Sequence, residues 1–166
     1  MSTKVVFLDI DGVLNGYPFL DEVEANSTAA PLSREWWSEF IDDARVERLN
    51  HILEVTGAKV VLSSSWRMRW PYKELQELFE EHGFRGEFVD ATGDEPRGKR
   101  GAQIARWLQY APFEVFSYVC LDDDLDMKEV EERWVQTSPD RGGITEEEVE
   151  RAIALLEQPL GPTSEQ

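Results

Sequence analysis

Six aspartates in two short stretches carry most of the chemistry this sequence can do. Asp9 and Asp11 end the apolar run VVFL, and Asp122, Asp123, Asp124 and Asp126 follow the run SYVCL. If the first strand persists through Asp11, its two carboxylates share one face. Crowded carboxylates repel one another, so some bind protons or a cation neutralises them. Oxygen donors with no His or Cys beside them select a hard ion, and Mg²⁺ suits that set. For Asp124 and Asp126, a plainer role as turn or capping residues competes with ligation. Capping does not as readily explain two acidic clusters, each at the end of a buried strand.

The elements that must position these clusters alternate along the chain. A strand at residues 4–9 leads into a stretch rich in Gly, Pro, Asn and Ser that runs to about residue 32. Ser33 is placed to cap the segment REWWSEFIDDARVERLNHILEVTG, a helical pattern broken once and closed by Gly57. AKVVLSS follows as a β-branched strand, then a helix over 71–82 ending at Gly83, and a third strand in GEFVDAT. Ile104, Trp107 and Leu108 give KRGAQIARWLQYA a helical period, and EVFSYVCLDDD is a strand that again stops in aspartates. A small strand at RWVQT precedes a helix opened by Thr145, with Glu148 three residues on completing a capping box.

This βαβα order predicts an α/β domain with a three-layer Rossmann-like fold around a central, mostly parallel sheet. Ligands in such sheets bind beyond the carboxyl ends of the strands, where both acidic clusters fall. Residues 1–158 are expected to form a single domain, and 159–166 a disordered tail.

Charge narrows the partners. With 17 basic and 34 acidic residues the net charge is −17, which repels phosphate backbones and argues against an extended, non-specific nucleic-acid groove. Local basic patches are confined to SWRMRW (65–70) and RGKR (97–100). No run is long enough to span a bilayer and no signal segment opens the chain, so no membrane partner is expected. One cysteine, Cys120, rules out an internal disulfide framework and fits a cytoplasmic protein.

FLDIDGVLN resembles the first signature of the haloacid dehalogenase-like (HAD) superfamily, a hydrophobic strand followed by D-x-D-G. KVVLSSS resembles its second motif, GKRGAQI its third and YVCLDDDLD its fourth, in the family's order and over residues 4–126. Within the superfamily, SSSWR, RGAQIARWL and LDDDLDM…VQT…GGIT are similar to the HAD domain of Swiss Army Knife RNA-repair proteins and their stand-alone relatives.

The resemblance implies a Mg²⁺-dependent phosphomonoester hydrolase working through an aspartyl-phosphate. Asp9 would be the nucleophile and Asp11 the general acid and base, with its backbone carbonyl a further metal ligand. The second motif's hydroxyl would hold a phosphoryl oxygen. Counting the strand's apolar residues favours Ser63, whereas aligning the following Ser-Trp with related sequences favours Ser64. The third motif's cation is Lys99 by the superfamily's usual residue, or Arg100 by its spacing to Ile104. Asp122, Asp126 and the neighbouring Asp123 would complete the metal site with Asp9 and Asp11.

About 50 residues separate Asp11 from Ser63, and a long helix takes half of them. Residues 12–32 suffice for a turn at Gly12 and a β-hairpin flap but not for a cap domain. An open site suits a phosphorylated nucleotide, a nucleic-acid end or another large phosphomonoester. Gly12 and the arginines Arg67 and Arg69 are expected on the substrate side, the arginines against a second phosphate or sugar-phosphate. Trp66 and Trp70 flank them and could stack on a base. His51, His82 and Cys120 are expected to be structural. A phosphotransferase or mutase, or a non-catalytic module on the same fold, is the alternative activity.

Overall fold

The computed structural model describes residues 2–161. Five strands, β1 (Thr3–Leu8), β2 (Lys59–Leu62), β3 (Phe88–Ala91), β4 (Val115–Asp122) and β5 (Trp134–Gln136), form one sheet in the order β3-β2-β1-β4-β5. Every pairing is parallel. Six α-helices complete the described fold: α1 (Phe19–Asn26), α2 (Arg34–Glu39), α3 (Asp43–Thr56), α4 (Tyr72–Glu80), α5 (Arg100–Gln109) and α6 (Glu146–Leu156).

The central strands are apolar on both faces because both faces are covered. Val6 and Leu8 of β1, Val60 and Leu62 of β2, and Val119 and Leu121 of β4 point into a large core with α3, α4 and α6. Val5, Phe7, Val61 and Cys120 point the other way, into a smaller core with Ile104 and Trp107 of α5, Met127 and Val130. Burying each Val, Leu or Phe contributes roughly 1.5–3 kcal/mol, so β1, fully buried from Val5 to Leu8, anchors the sheet. Trp107 meets the Phe7 ring edge-on at 5.3 Å.

The helical break falls where the chemistry allows it. Asp42 accepts the Ala44 N–H at 3.0 Å and restarts the helix as α3, which Gly57 closes at φ +74°. Thr145 and Glu148 form the reciprocal capping box at the start of α6. His82 bridges Ser38 (2.7 Å) and Asp43 (2.5 Å), tying α2 to α3 just beyond the end of α4.

Three expectations change. β1 ends at Leu8, so Asp9 and Asp11 do not alternate along one strand. The segment after Gly12 holds helix α1 in place of a β-hairpin flap. Residues 159 and 160 are tied down: the Leu160 N–H bonds the Phe116 carbonyl at 3.0 Å, and Arg133 approaches the Pro159 carbonyl. The rest of the expected tail lies outside the described residues. Among those described, no helix is long and apolar enough to cross a membrane.

Candidate active site

The parallel ladder sets a row of polar side chains just past the strand ends. Leu8 pairs with Leu62 and with Leu121, so the next residues, Ser63, Asp9 and Asp122, lie side by side. Ala91 pairs with Leu62, which brings Thr92 alongside Ser63. Ladder bonds continue through the row, from Asp9 N–H to the Leu121 carbonyl (3.0 Å), Ser63 N–H to Leu8 (2.9 Å) and Thr92 N–H to Leu62 (2.8 Å). Strand alternation puts the row on the face of Phe7, Val61 and Cys120, the side that α5 covers. All four residues are buried.

Carboxylate oxygens of Asp9, Asp122 and Asp123 all lie within 4.8 Å of one another. Against them stands Arg100, at the start of α5, with Nη1 2.9 Å from Asp122 Oδ2 and 3.4 Å from Asp9 Oδ1. Burial, then the Asp122 carboxylate, push Asp9 well above the usual carboxylate range, and Arg100 only partly opposes them. Burial raises Asp122 as well, again against Arg100. Burial works against the Arg100 charge too, but Asp122 and Asp9 outweigh it and its pKa is raised. One cation thus faces three clustered acids in a buried site with an all-oxygen donor set. That chemistry fits a hard divalent ion.

Asp126 stands outside this triplet. It is exposed, its N–H bonds Asp124 Oδ1, and its carbonyl takes the Gly101 N–H at 2.8 Å. The Asp124 N–H in turn bonds Asp122 Oδ1. Asp126, expected as a ligand from its four-residue spacing, is thus not gathered with the triplet, and its backbone seats the start of α5.

Asp11 lies outside the triplet as well and is held differently. Asn15 Nδ2 donates to its Oδ1 and the Trp66 indole N–H to its Oδ2, both at 3.1 Å. Asn15 also accepts the Gly12 N–H and donates to the Phe40 carbonyl, which locks the loop. With its N–H engaged, Gly12 has no amide to offer a ligand. Its own role is room: at φ +81° it adopts a conformation rare for other residues, and a Cβ there would lie 2.4 Å from Asp123 Oδ2. Trp66 is only 2 % exposed, so it orients Asp11 and cannot stack on a base.

The members of each open pair are placed differently. Ser64 Oγ caps a short 3₁₀ turn through the Trp66 N–H, whereas Ser63 Oγ is buried with no partner among the described residues. Thr92 Oγ1, next in the row, is equally buried and unpartnered. Arg100 reaches the carboxylates, while Lys99 is exposed. Arg67 departs from expectation. Its five N–H donors go to the carbonyls of Thr92, Ser63, Ser64 and Gly93 and to Gln103 Oε1, so none is left for a second phosphate. Arg69 is exposed and rests on the Trp70 ring, 4.6 Å from its centroid.

Sequence alone gave Asn15 and Thr92 no role, and gave Trp66 a different one. Asn15 closes the FLDIDGVLN motif and was within sight. Thr92 becomes visible only through the β2–β3 register.

An all-parallel sheet in this strand order, with acids at the ends of β1 and β4 and no inserted cap, is the architecture of a HAD-like domain. The profile of the HAD domain in Swiss Army Knife RNA repair proteins matches residues 5–149. The chain belongs to that family. No protein of curated function and no solved structure matches it.

Proposed function

We propose that the chain is a Mg²⁺-dependent phosphomonoesterase that works through an aspartyl-phosphate on Asp9. The observation that carries this reading is the buried row of Ser63, Asp9 and Asp122 with Arg100 set against its acids. The carboxylates of Asp9, Asp122 and Asp123 and the Asp11 carbonyl would hold the ion. Bound there, Mg²⁺ supplies charge neutralisation for an anion that must meet an anion.

The residues divide the rest of the work. An Asp9 carboxylate oxygen attacks phosphorus as the bond to the leaving oxygen breaks, and Asp11 gives that oxygen its proton. Asn15 and Trp66 hold the Asp11 carboxyl in place for the transfer. Asp11, now ionised, takes a proton from the water that attacks the acyl-phosphate. The P–O bond to Asp9 breaks, and inorganic phosphate leaves. Ser63 Oγ donates to a phosphoryl oxygen, which resolves an orphan hydroxyl whose burial otherwise costs roughly 1–3 kcal/mol. Arg100 turns part of its charge to the phosphoryl group.

The substrate class that fits an open site in this family is a nucleotide or nucleic-acid phosphate end. A reduced, buried Cys120 suits a cytoplasmic setting.

The decisive assay is phosphate release across nucleotides, phosphorylated oligonucleotides, sugar phosphates and phosphopeptides, with Mg²⁺ and with EDTA. Release without an added acceptor, absent in Asp9→Asn, is expected. Release that survives in Asp9→Asn, or needs an acceptor hydroxyl, overturns the proposal.

A further inference from the structure

Beside Arg100, away from the acidic triplet, the surface opens into a cleft of about 490 Å³. Four cations line it, Arg67, Arg97, Lys99 and Arg100, against two carboxylates, Asp94 and Asp124. On a chain of net charge −17, that inverts the surrounding sign.

The four cations are not equivalent. Arg67 spends every donor on the protein, and Arg100 is engaged by Asp122 and Asp9. Lys99 is exposed, and its ammonium meets no acceptor among the described residues. Arg97 is 84 % exposed at its side chain, and its ion pair with Glu95, at 4.0 Å, is beyond hydrogen-bond reach. Two unspent cations therefore sit next to the arginine that touches the reaction centre. Met68, 63 % exposed, adds an apolar surface to the same cleft.

In the proposed reaction a phosphoryl group at Asp9 draws on Mg²⁺, Arg100 and Ser63. Arg97 and Lys99 are surplus to it and face outward along the cleft. We propose that this cleft is a subsite for the penultimate phosphate of a single-stranded nucleic acid whose terminal phosphate lies at Asp9, with the intervening nucleoside against Met68. The inference rests on the phosphatase reading and names its substrate. A single strand fits because the surrounding acidic surface repels the second strand of a duplex and any distant backbone. The gain from chain length therefore saturates at two or three nucleotides.

The test compares kcat/KM at low salt for 3′- and 5′-phosphorylated trinucleotides with that for the matching mononucleotides and a sugar bisphosphate. The better trinucleotide is expected to exceed its mononucleotide about tenfold or more, the value of a charge-assisted contact or two. In Arg97→Ala/Lys99→Ala the ratio falls toward one, and Lys99→Arg alone retains it. Equal constants for trinucleotide and mononucleotide, or a ratio that the double variant leaves unmoved, overturn the subsite. A sugar bisphosphate that gains as much as the trinucleotide overturns its assignment to nucleic acid.

Fluorescence anisotropy of a labelled, phosphate-ended trinucleotide on Asp9→Asn separates this inference from the reading beneath it. Binding that the double variant weakens upholds the subsite even where no substrate is hydrolysed. No binding overturns it.

Discussion

The two walls of the site are built on opposite plans. On the β1–β2 side, Asn15, Trp66, Ser64 and Arg67 direct their polar groups to the protein itself. On the β3–α5 side, Arg97 and Lys99 extend into solvent with little to hold them. The first wall is assembled before anything binds, and so can hold a carboxylate in one orientation. The second gains its contacts only from a ligand. Under the proposed function, the satisfied wall orients the Asp11 carboxylate, and the open wall is left to select among ligands.

The largest effect that would break this contrast is on the row itself. Asp9→Asn should lower kcat by at least about 10³, measured as phosphate release under single-turnover conditions. The same variant should be more stable than the native chain in EDTA at neutral pH. Asp9 has a folded-state pKa raised by burial and by Asp122, so the stability it contributes is present at low pH and lost as pH rises through the raised value. Thermal melts in EDTA should show the advantage of the Asp9→Asn variant disappearing on acidification.

Next comes Arg67→Ala on the satisfied wall. It strips donors from four carbonyls at the ends of β2 and β3 and should cost about 2–4 kcal/mol in denaturant melts. Arg67→Lys should not restore this, because one ammonium cannot span acceptors laid out for a planar fork. A melt unchanged by Arg67→Ala would erase the distinction between the walls.

Trp66→Phe keeps the buried ring and removes one N–H from Asp11. A fall of about tenfold in kcat with little change in KM is expected from steady-state kinetics. The smallest effect belongs to the open wall. Lys99→Ala should leave stability within about 0.5 kcal/mol and register only in KM for substrates that carry a second phosphate.

Much of this was legible in the sequence, for stated physical reasons. VVFL and VVL are apolar on both strand faces, which already requires a sheet covered on both sides, and the sheet is indeed parallel throughout. Ser33 marked the start of one helix and Gly57 the end of the next by their own conformational preferences, though where the pattern breaks, at Asp42, was not legible. Two strands ending in acid placed both acidic clusters at the carboxyl end of the sheet, where Asp9, Asp122 and Asp123 meet.

What stayed hidden depended on which neighbour a polar atom finds. Ser63 and Ser64 are adjacent and chemically identical, and what distinguishes them is the register that sets Ser63 in the row and the 3₁₀ turn that Ser64 caps. Arg67 looked free because no residue near it in sequence is acidic, yet its acceptors are neutral: the carbonyls of Ser63 and Ser64 beside it, those of Thr92 and Gly93 past β3, and Gln103 Oε1. The helix at Phe19–Asn26 gave little warning, since Gly and Pro beside it resemble the punctuation of a hairpin.

The ladder that aligns Thr92, Ser63, Asp9 and Asp122 has a consequence for how this protein can change over time. Its strands can exchange one buried aliphatic side chain for another at modest cost, because the row depends on counting residues, not on their identity. Deleting a single residue from β1 would turn Asp9 toward the large core and Ile10 toward α5. The site is therefore tolerant of substitution beneath it and intolerant of a change in strand length. Insertions can accumulate in the loops beyond the row, where a cap would attach, but not in the strands that set its alignment.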